Sequence, residues 1–222
     1  MMDAPLDPLV AAAIHDAKNA LLALGTQLAE AERRILKNEA TADFSSARAS
    51  VARIASQLTE LLTLYRAQGG QLRLAIDDHD LADFIDDLVS ELGPVPDGMM
   101  LDIDRGAAAT LGAWAFDAYL VKLALLDALR NALRHARTRV TLSLSVPATG
   151  GICFSIADDG TGFPERVLVG AVVQSDNRGD GGTGLGLTFA RLIAARHATP
   201  TGRHGHVELA NNPGASLRIF LP

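Results

Sequence analysis

Apolar positions over the first 68 residues repeat every three or four. Val10, Ile14, Ala17, Leu21, Leu24, Leu28, Ala31 and Ile35 form one such row, and Phe44, Ala47, Val51, Ile54, Leu58, Leu61 and Tyr65 a second. Both are heptad seams, the pattern of helices that pack at a shallow angle. Pro8 suits a first helical turn. Residues 38–43 supply a turn, with Thr41 or Asp43 as the next cap, and Gly69-Gly70 ends the second helix. Two helices alone leave such seams incompletely covered. The pattern therefore predicts an antiparallel hairpin that pairs with a second copy into a four-helix bundle, a homodimer. The competing arrangement is a hairpin packed on the rest of its own chain.

From Gln71 the pattern changes. Leu72 to Ile76 alternates like a strand, and Asp80 precedes a helix with an apolar face of Leu81, Phe84, Ile85, Leu88 and Leu92. Short strands are predicted at Met100–Ile103 and Gly112–Ala115, and a long helix over Asp117–Ala136. Val140, Leu142, Leu144 and Val146 alternate with polar residues, as a half-buried strand does. Ile152–Ala157 reads as another strand, Thr183–His197 as a helix, and His206–Leu209 with Ser216–Leu221 as a closing hairpin. The second region, 71–222, is thus an α+β sandwich with helices on one face of a mixed sheet. The first, 1–68, is the helical hairpin.

Composition narrows the possibilities. The chain has 222 residues, 48% of them apolar and 21% charged, an ordinary globular balance. A net charge of −6 and a pI near 5.4 disfavour nucleic acid as a partner. Cys153 is the sole cysteine, so no intrachain disulfide is expected and a reducing, cytoplasmic setting fits. No apolar run reaches 18 residues, so no membrane segment is predicted.

Four segments carry candidate chemistry. His15 follows a seam position and falls on the solvent side of its helix, with Asp16 beside it and Asn19 one turn on. A largely neutral imidazole can act as a nucleophile, a carboxylate can hold one ring nitrogen, and an amide can orient water. On its own this is also what a solvated helix surface looks like. In the long helix, Asp127, Asn131 and Arg134 share a face, followed by His135. Asn131 amid apolar residues offers an oxygen to a hard cation such as Mg2+, or is a buried amide satisfied by backbone. Asp158, Gly160 and Gly162 follow a strand directly. There a carboxylate can accept the exocyclic amine of adenine and the glycines admit a ring or ribose, although Asp-Gly also marks plain turns. Last, Gly182, Thr183, Gly184, Leu185 and Gly186 lead into a helix, where free amides make a phosphate site. Neither a Walker loop nor a dinucleotide fingerprint fits that spacing. The stretch between Phe163 and Gly181 is a candidate lid.

In this order and spacing, the segments resemble the boxes of the sensor histidine kinase family over nearly the whole chain. His15 to Asn19 looks like the H box, and Asn131 and its helix like the N box. Asp158 to Gly162 looks like the first glycine box, Gly182 to Leu187 like the second, and the ending Arg218-Ile219-Phe220-Leu221-Pro222 is also typical. The resemblance implies a dimeric phosphotransfer bundle followed by a Bergerat-like ATP-binding domain shared with Hsp90-like and gyrase-type ATPases. It implies transfer of the ATP γ-phosphate to His15 and on to an aspartate of a response regulator receiver domain, with phosphatase activity toward that regulator.

By position, Asp16 would be the acid/base partner, Asn19 would serve dephosphorylation, Asn131 would hold Mg2+ and Asp158 would read adenine. Arg134 stands where the family often has Lys, and Asp127 where Asn or Glu is common. Ala20 replaces the usual proline, and the phenylalanine-rich lid segment is absent. With fourteen residues ahead of His15, a sensor domain is expected to be separate or missing. Two other readings compete: a phosphotransfer adaptor on the same fold without autokinase activity, and an Hsp90-like or topoisomerase-like ATPase, against which the exposed His15 weighs. A zinc site from His197, His204 and His206 fits poorly, because no cysteine lies nearby.

Overall fold

A computed structural model describes residues 17, 20, 24, 27, 54, 56–169 and 185–222. His15, Asp16, Asn19, the 38–43 turn, Gly182, Thr183, Gly184 and the candidate lid beyond Val169 lie outside the described residues. The chain divides into two compact units, the second holding 73–169 and 186–222 of the described residues.

In the first unit, residues 17, 20, 24, 27 and 54 are helical and helix α1 covers 56–68. It stops where the sequence predicts. Gly70 takes a left-handed φ of 68°, and the amides of Gly69 and Gln71 bond back to Tyr65 O and Arg66 O. Ile54, Glu60, Thr63 and Ala67 are buried, and the Thr63 hydroxyl is satisfied by donating to Thr59 O at 2.8 Å. Leu58, Leu62 and Tyr65, at i, i+4 and i+7, are 46%, 56% and 66% exposed. Within one chain, part of the predicted seam thus faces outward.

The second unit is built on two sheets. Strands β1 (Asp77–Asp80) and β3 (Ala113–Phe116) pair antiparallel. The main sheet has the order β2-β4-β5-β7-β6, with β2 at Met100–Asp104, β4 at Arg139–Ser145, β5 at Ile152–Asp158, β6 at His206–Asn211 and β7 at Ala215–Leu221. Only β2 and β4 run parallel, so the sheet is mixed as the α+β reading requires. Its period-2 pattern is realised across strands. Leu142, Ile156 and Leu217 form one apolar row, and Leu144, Phe154 and Ile219 the next.

Among the described residues, five helices belong to this part of the chain: α2 (Leu81–Leu92), α3 (Gly106–Leu111), α4 (Ala118–His135), α5 (Glu165–Leu168) and α6 (Leu185–Arg196). Asp80 caps α2 by accepting from the amides of Ala82 and Asp83, and Leu81, Phe84, Ile85 and Leu88 are buried as their spacing predicts. Phe84 and Phe116 meet edge to face at 4.9 Å, and both approach Phe154 of β5. Each such pair adds about 0.5–1.5 kcal/mol beyond burial. These rings join α2, β3 and the sheet into one core.

Two features differ from the sequence pattern. Leu72–Ile76 is irregular, and the strand begins only at Asp77. The reason is a competing partner: the Ala75 amide donates to Asp117 Oδ2 at 2.9 Å instead of joining a ladder. Helix α3, a single short Ala-rich turn and a half, carries no periodicity long enough to announce it.

Candidate functional site

Helix α4 and the ends of β5, β7 and α6 enclose a cleft of about 500 Å³, counting the part open to solvent. Its walls are mainly apolar, among them Ile156, Leu217 and Phe163, and its polar groups are Asp127, Asn131 and Asp158. Side chains from two of the candidate segments, Asp127 and Asn131 from the long helix and Asp158 from the strand end, therefore line one space with Gly186 from a third.

Asp158 closes β5 and is 8% exposed. Its Oδ1 accepts from the amides of Gly160 (2.8 Å) and Ala215 (3.2 Å), which fixes the carboxylate plane. Oδ2 makes no hydrogen bond among the described residues, and Asp158 lines the cleft. Such an acceptor, rigid and unsatisfied, suits an amine donor on a ligand. Gly160 packs on the other side of this turn: a Cβ there would lie 2.2 Å from His135 O. His135 thus enters through its backbone.

Asn131 is exposed on α4, lines the cleft, and its side chain makes no hydrogen bond among the described residues. This overturns the alternative of a buried amide satisfied by backbone. Asp127, one turn earlier, is half-buried against the start of α6. A Cβ on Gly186 would fall 1.8 Å from Asp127 Oδ2, so only glycine admits this approach. Burial pushes the Asp127 carboxyl above its usual pKa, with Arg130 and Arg134 pulling it back. Arg134 and His135 are exposed on the last turn of α4 and do not line the cleft. Leu185 opens α6.

Two site-shaping residues escaped the sequence reading. Asn211, at the end of β6, accepts from Phe163 N at 2.7 Å and donates to Phe163 O at 2.9 Å. Gly162 makes this possible with a φ of 81°, its Cβ position lying 2.7 Å from Asn211 Oδ1. The only hint was the Asn211-Asn212-Pro213-Gly214 turn. Asp159, beside Asp158, accepts from the amides of Arg137, Thr138 and Arg139 and from Thr138 Oγ1. It is a clamp on the α4–β4 connection.

The Thr138 hydroxyl and amide, with the Arg139 and Arg137 amides, hold the Asp159 carboxyl well below the usual carboxylate range. A depressed folded pKa means that its contribution is present above the unfolded value near 3.9 and fades as pH falls below it. Asp159→Asn is therefore expected to melt below the parent at pH 7, with the gap closing toward pH 3. Calorimetry at the two pH values checks this, and a gap that widens in acid would contradict it.

Residues 116–222 match the family of histidine kinase-, DNA gyrase B- and HSP90-like ATPases. The sensor-like histidine kinase SenX3 of Mycolicibacterium smegmatis is 27% identical over 176 residues, which are 76% of this chain and 44% of that protein. The signal transduction histidine-protein kinase AfsQ2 of Streptomyces coelicolor is 29% identical over 177 residues, covering 77% of this chain and 31% of that protein. The adaptive-response sensory kinase SasA of Synechococcus is 23% identical over 97% of this chain and 59% of its own length. The chain thus spans less than two thirds of these relatives. Among solved structures, the Acinetobacter baumannii histidine kinase AdeS shares the fold with a TM-score of 0.60 at 19% identity, covering 93% of this chain and 96% of that one. The matched ATPase family implies ATP binding, and no described helix is long and apolar enough to cross a membrane. The ATPase match over residues 116–222, with histidine kinases as these relatives, supports placing the chain with the sensor histidine kinases.

Proposed function

We propose that this chain is an ATP-dependent histidine autokinase that phosphorylates His15 and passes the phosphoryl group to an aspartate of a response regulator. The observation that carries the reading is the Asp158 carboxylate. One oxygen is pinned by two amides and the other is left unbonded among the described residues, in a cleft with apolar walls. That suits the adenine amine above flat apolar contacts. Asn131, exposed and with no side-chain partner among the described residues, offers its carboxamide oxygen to Mg2+. A cation there would neutralise phosphate charge during transfer. Gly182, Thr183, Gly184, Leu185 and Gly186 would border the phosphates, with Arg134 as a nearby cation.

The proposed division of labour follows the chain: 1–68 for dimerisation and phosphotransfer, and 71–222 for ATP binding, in a cytoplasmic setting. In the first region Asp16 would hold His15 in the reactive tautomer, and Asn19 would orient water for dephosphorylating the regulator. Incubation with γ-labelled ATP and Mg2+ tests the reading. An acid-labile, base-stable label on His15 is expected, and absence of label from a chain that binds ATP contradicts it.

The dimer is part of this proposal. Leu58, Leu62 and Tyr65 form an exposed apolar stripe on α1, as a bundle seam awaiting a second copy would. Replacing Leu24 and Leu58 with Glu buries unpaired charge in such a seam. The double variant is expected to scatter light as a monomer at micromolar concentration where the parent is a dimer. A parent that is itself monomeric refutes the bundle.

A further inference from the structure

The C-terminal end of α6 meets the N-terminal end of α4 at a buried imidazole. His197, just past α6, is 3% exposed. Its Nδ1 lies 2.8 Å from Ile193 O, and its Nε2 accepts from Asp117 N at 3.0 Å. A carbonyl only accepts and an amide only donates. The two contacts therefore select one neutral tautomer, with the proton on Nδ1 and a lone pair on Nε2.

Asp117 is 4% exposed and has a double duty. Oδ1 accepts from Leu120 N at 3.0 Å and caps α4. Oδ2 accepts from Ala75 N at 2.9 Å. Ala75 lies in the irregular segment between α1 and β1, the covalent connection into the ATP-binding unit. One carboxylate thus holds a helix start and the incoming chain together.

We propose that His197 and Asp117 form a proton-operated latch on this connecting segment. Neutral His197 accepts from the Asp117 amide and leaves the carboxylate to Ala75. An imidazolium donates from both nitrogens and accepts at neither. Its new N–H at Nε2 faces the N–H of Asp117, so both donors lose a partner. The Asp117 carboxylate, whose charge reaches the ring, is the acceptor that can relieve this. Drawn toward the imidazolium, it releases the Ala75 amide and lengthens the free tether.

Asp117 is the charge that acts on the ring among the described residues. On the neighbouring elements, Arg73, Tyr119, Arg196 and His204 are exposed, and His79 sets its edge against Phe116. Burial, opposed by the Ile193 carbonyl and Asp117, holds His197 below its ordinary pKa. The native state therefore takes up its proton later than the unfolded chain. The latch is closed at neutral pH and opens at a midpoint below about 6.5.

Hydrogen–deuterium exchange of the full chain from pH 7.5 to 5.0, expressed as protection factors, tests this beside NMR of the histidine side chains. Protection at Ala75 is expected to fall about tenfold as His197 titrates, the fold-change that one hydrogen bond of ordinary net strength allows. Strands β4 and β5 should keep theirs. In His197→Gln, whose amide oxygen can accept from Asp117 N but does not titrate here, Ala75 protection should be independent of pH. The latch is refuted if Ala75 stays protected while His197 titrates, or if His197 remains neutral until β4 and β5 also open. A Gln variant with the same pH dependence as the parent refutes it equally. None of these readouts depends on kinase chemistry.

Discussion

Asp158→Asn is expected to weaken ATP binding by about 10- to 100-fold while leaving the fold intact. The substitution keeps the shape and one oxygen. That oxygen can still accept from the amides of Gly160 and Ala215, so the turn after β5 retains its anchors. The new amide nitrogen then stands where Oδ2 stood and points a donor at the donor of adenine. Loss of a hydrogen bond to a charged group costs about 1.5–3 kcal/mol, which sets the range given. The apolar walls, Ile156 and Leu217 among them, are untouched, so binding is reduced and not erased. A purine with a carbonyl at the same place should gain, and the preference for ATP over GTP should fall with the affinity. Calorimetric titration of both nucleotides against parent and variant measures this. Equal ATP affinity in the two proteins would remove Asp158 from the adenine site.

That prediction rests on a residue legible in the sequence, because a carboxylate ending a strand before two glycines is a local pattern. Legibility follows the range of the interactions. Asp80 at the start of α2 and Gly70 past α1 act on amides a few residues away, and both perform as their positions predict. The alternation of β4 and the apolar stripe of α2 also survive, since each element buries the face its own period defines. Partners distant in sequence were not readable. Asn211 reaches Phe163 across 48 residues, and Ala75 reaches Asp117 across 42. The second contact turns a strand-like run at Leu72–Ile76 into irregular chain. Gly186 is an intermediate case. Its place in a glycine-rich helix start was plain, but the pressure of Asp127 against its Cα needed the fold. His197 was weighed only as a poor zinc ligand, yet both its nitrogens are engaged in the core.

His15→Ala is expected to abolish labelling from γ-labelled ATP while ATP affinity stays at the parent value. The heptad spacing assigns His15 to the predicted helical hairpin, and the cleft polar groups Asp127, Asn131 and Asp158 all belong to the region from 71 onward. Deleting the acceptor therefore leaves the binding groups in place. Transfer to an imidazole is mainly a matter of position and charge neutralisation, so the attacking ring nitrogen must carry its lone pair. Asp16 can secure that tautomer by accepting a hydrogen bond from the other nitrogen. Asp16→Ala should then slow labelling by roughly 10²–10⁴-fold, the span of general acid–base contributions. Asn19→Ala should spare labelling and slow dephosphorylation of a receiver domain, because its amide would orient the attacking water. The three variants together separate the autokinase from a phosphotransfer adaptor on the same fold. An adaptor would bind ATP without self-labelling and would accept phosphate at His15 from a phosphorylated receiver. If the parent chain behaves that way, the autokinase reading falls, and His15→Ala would then block acceptance from the receiver instead.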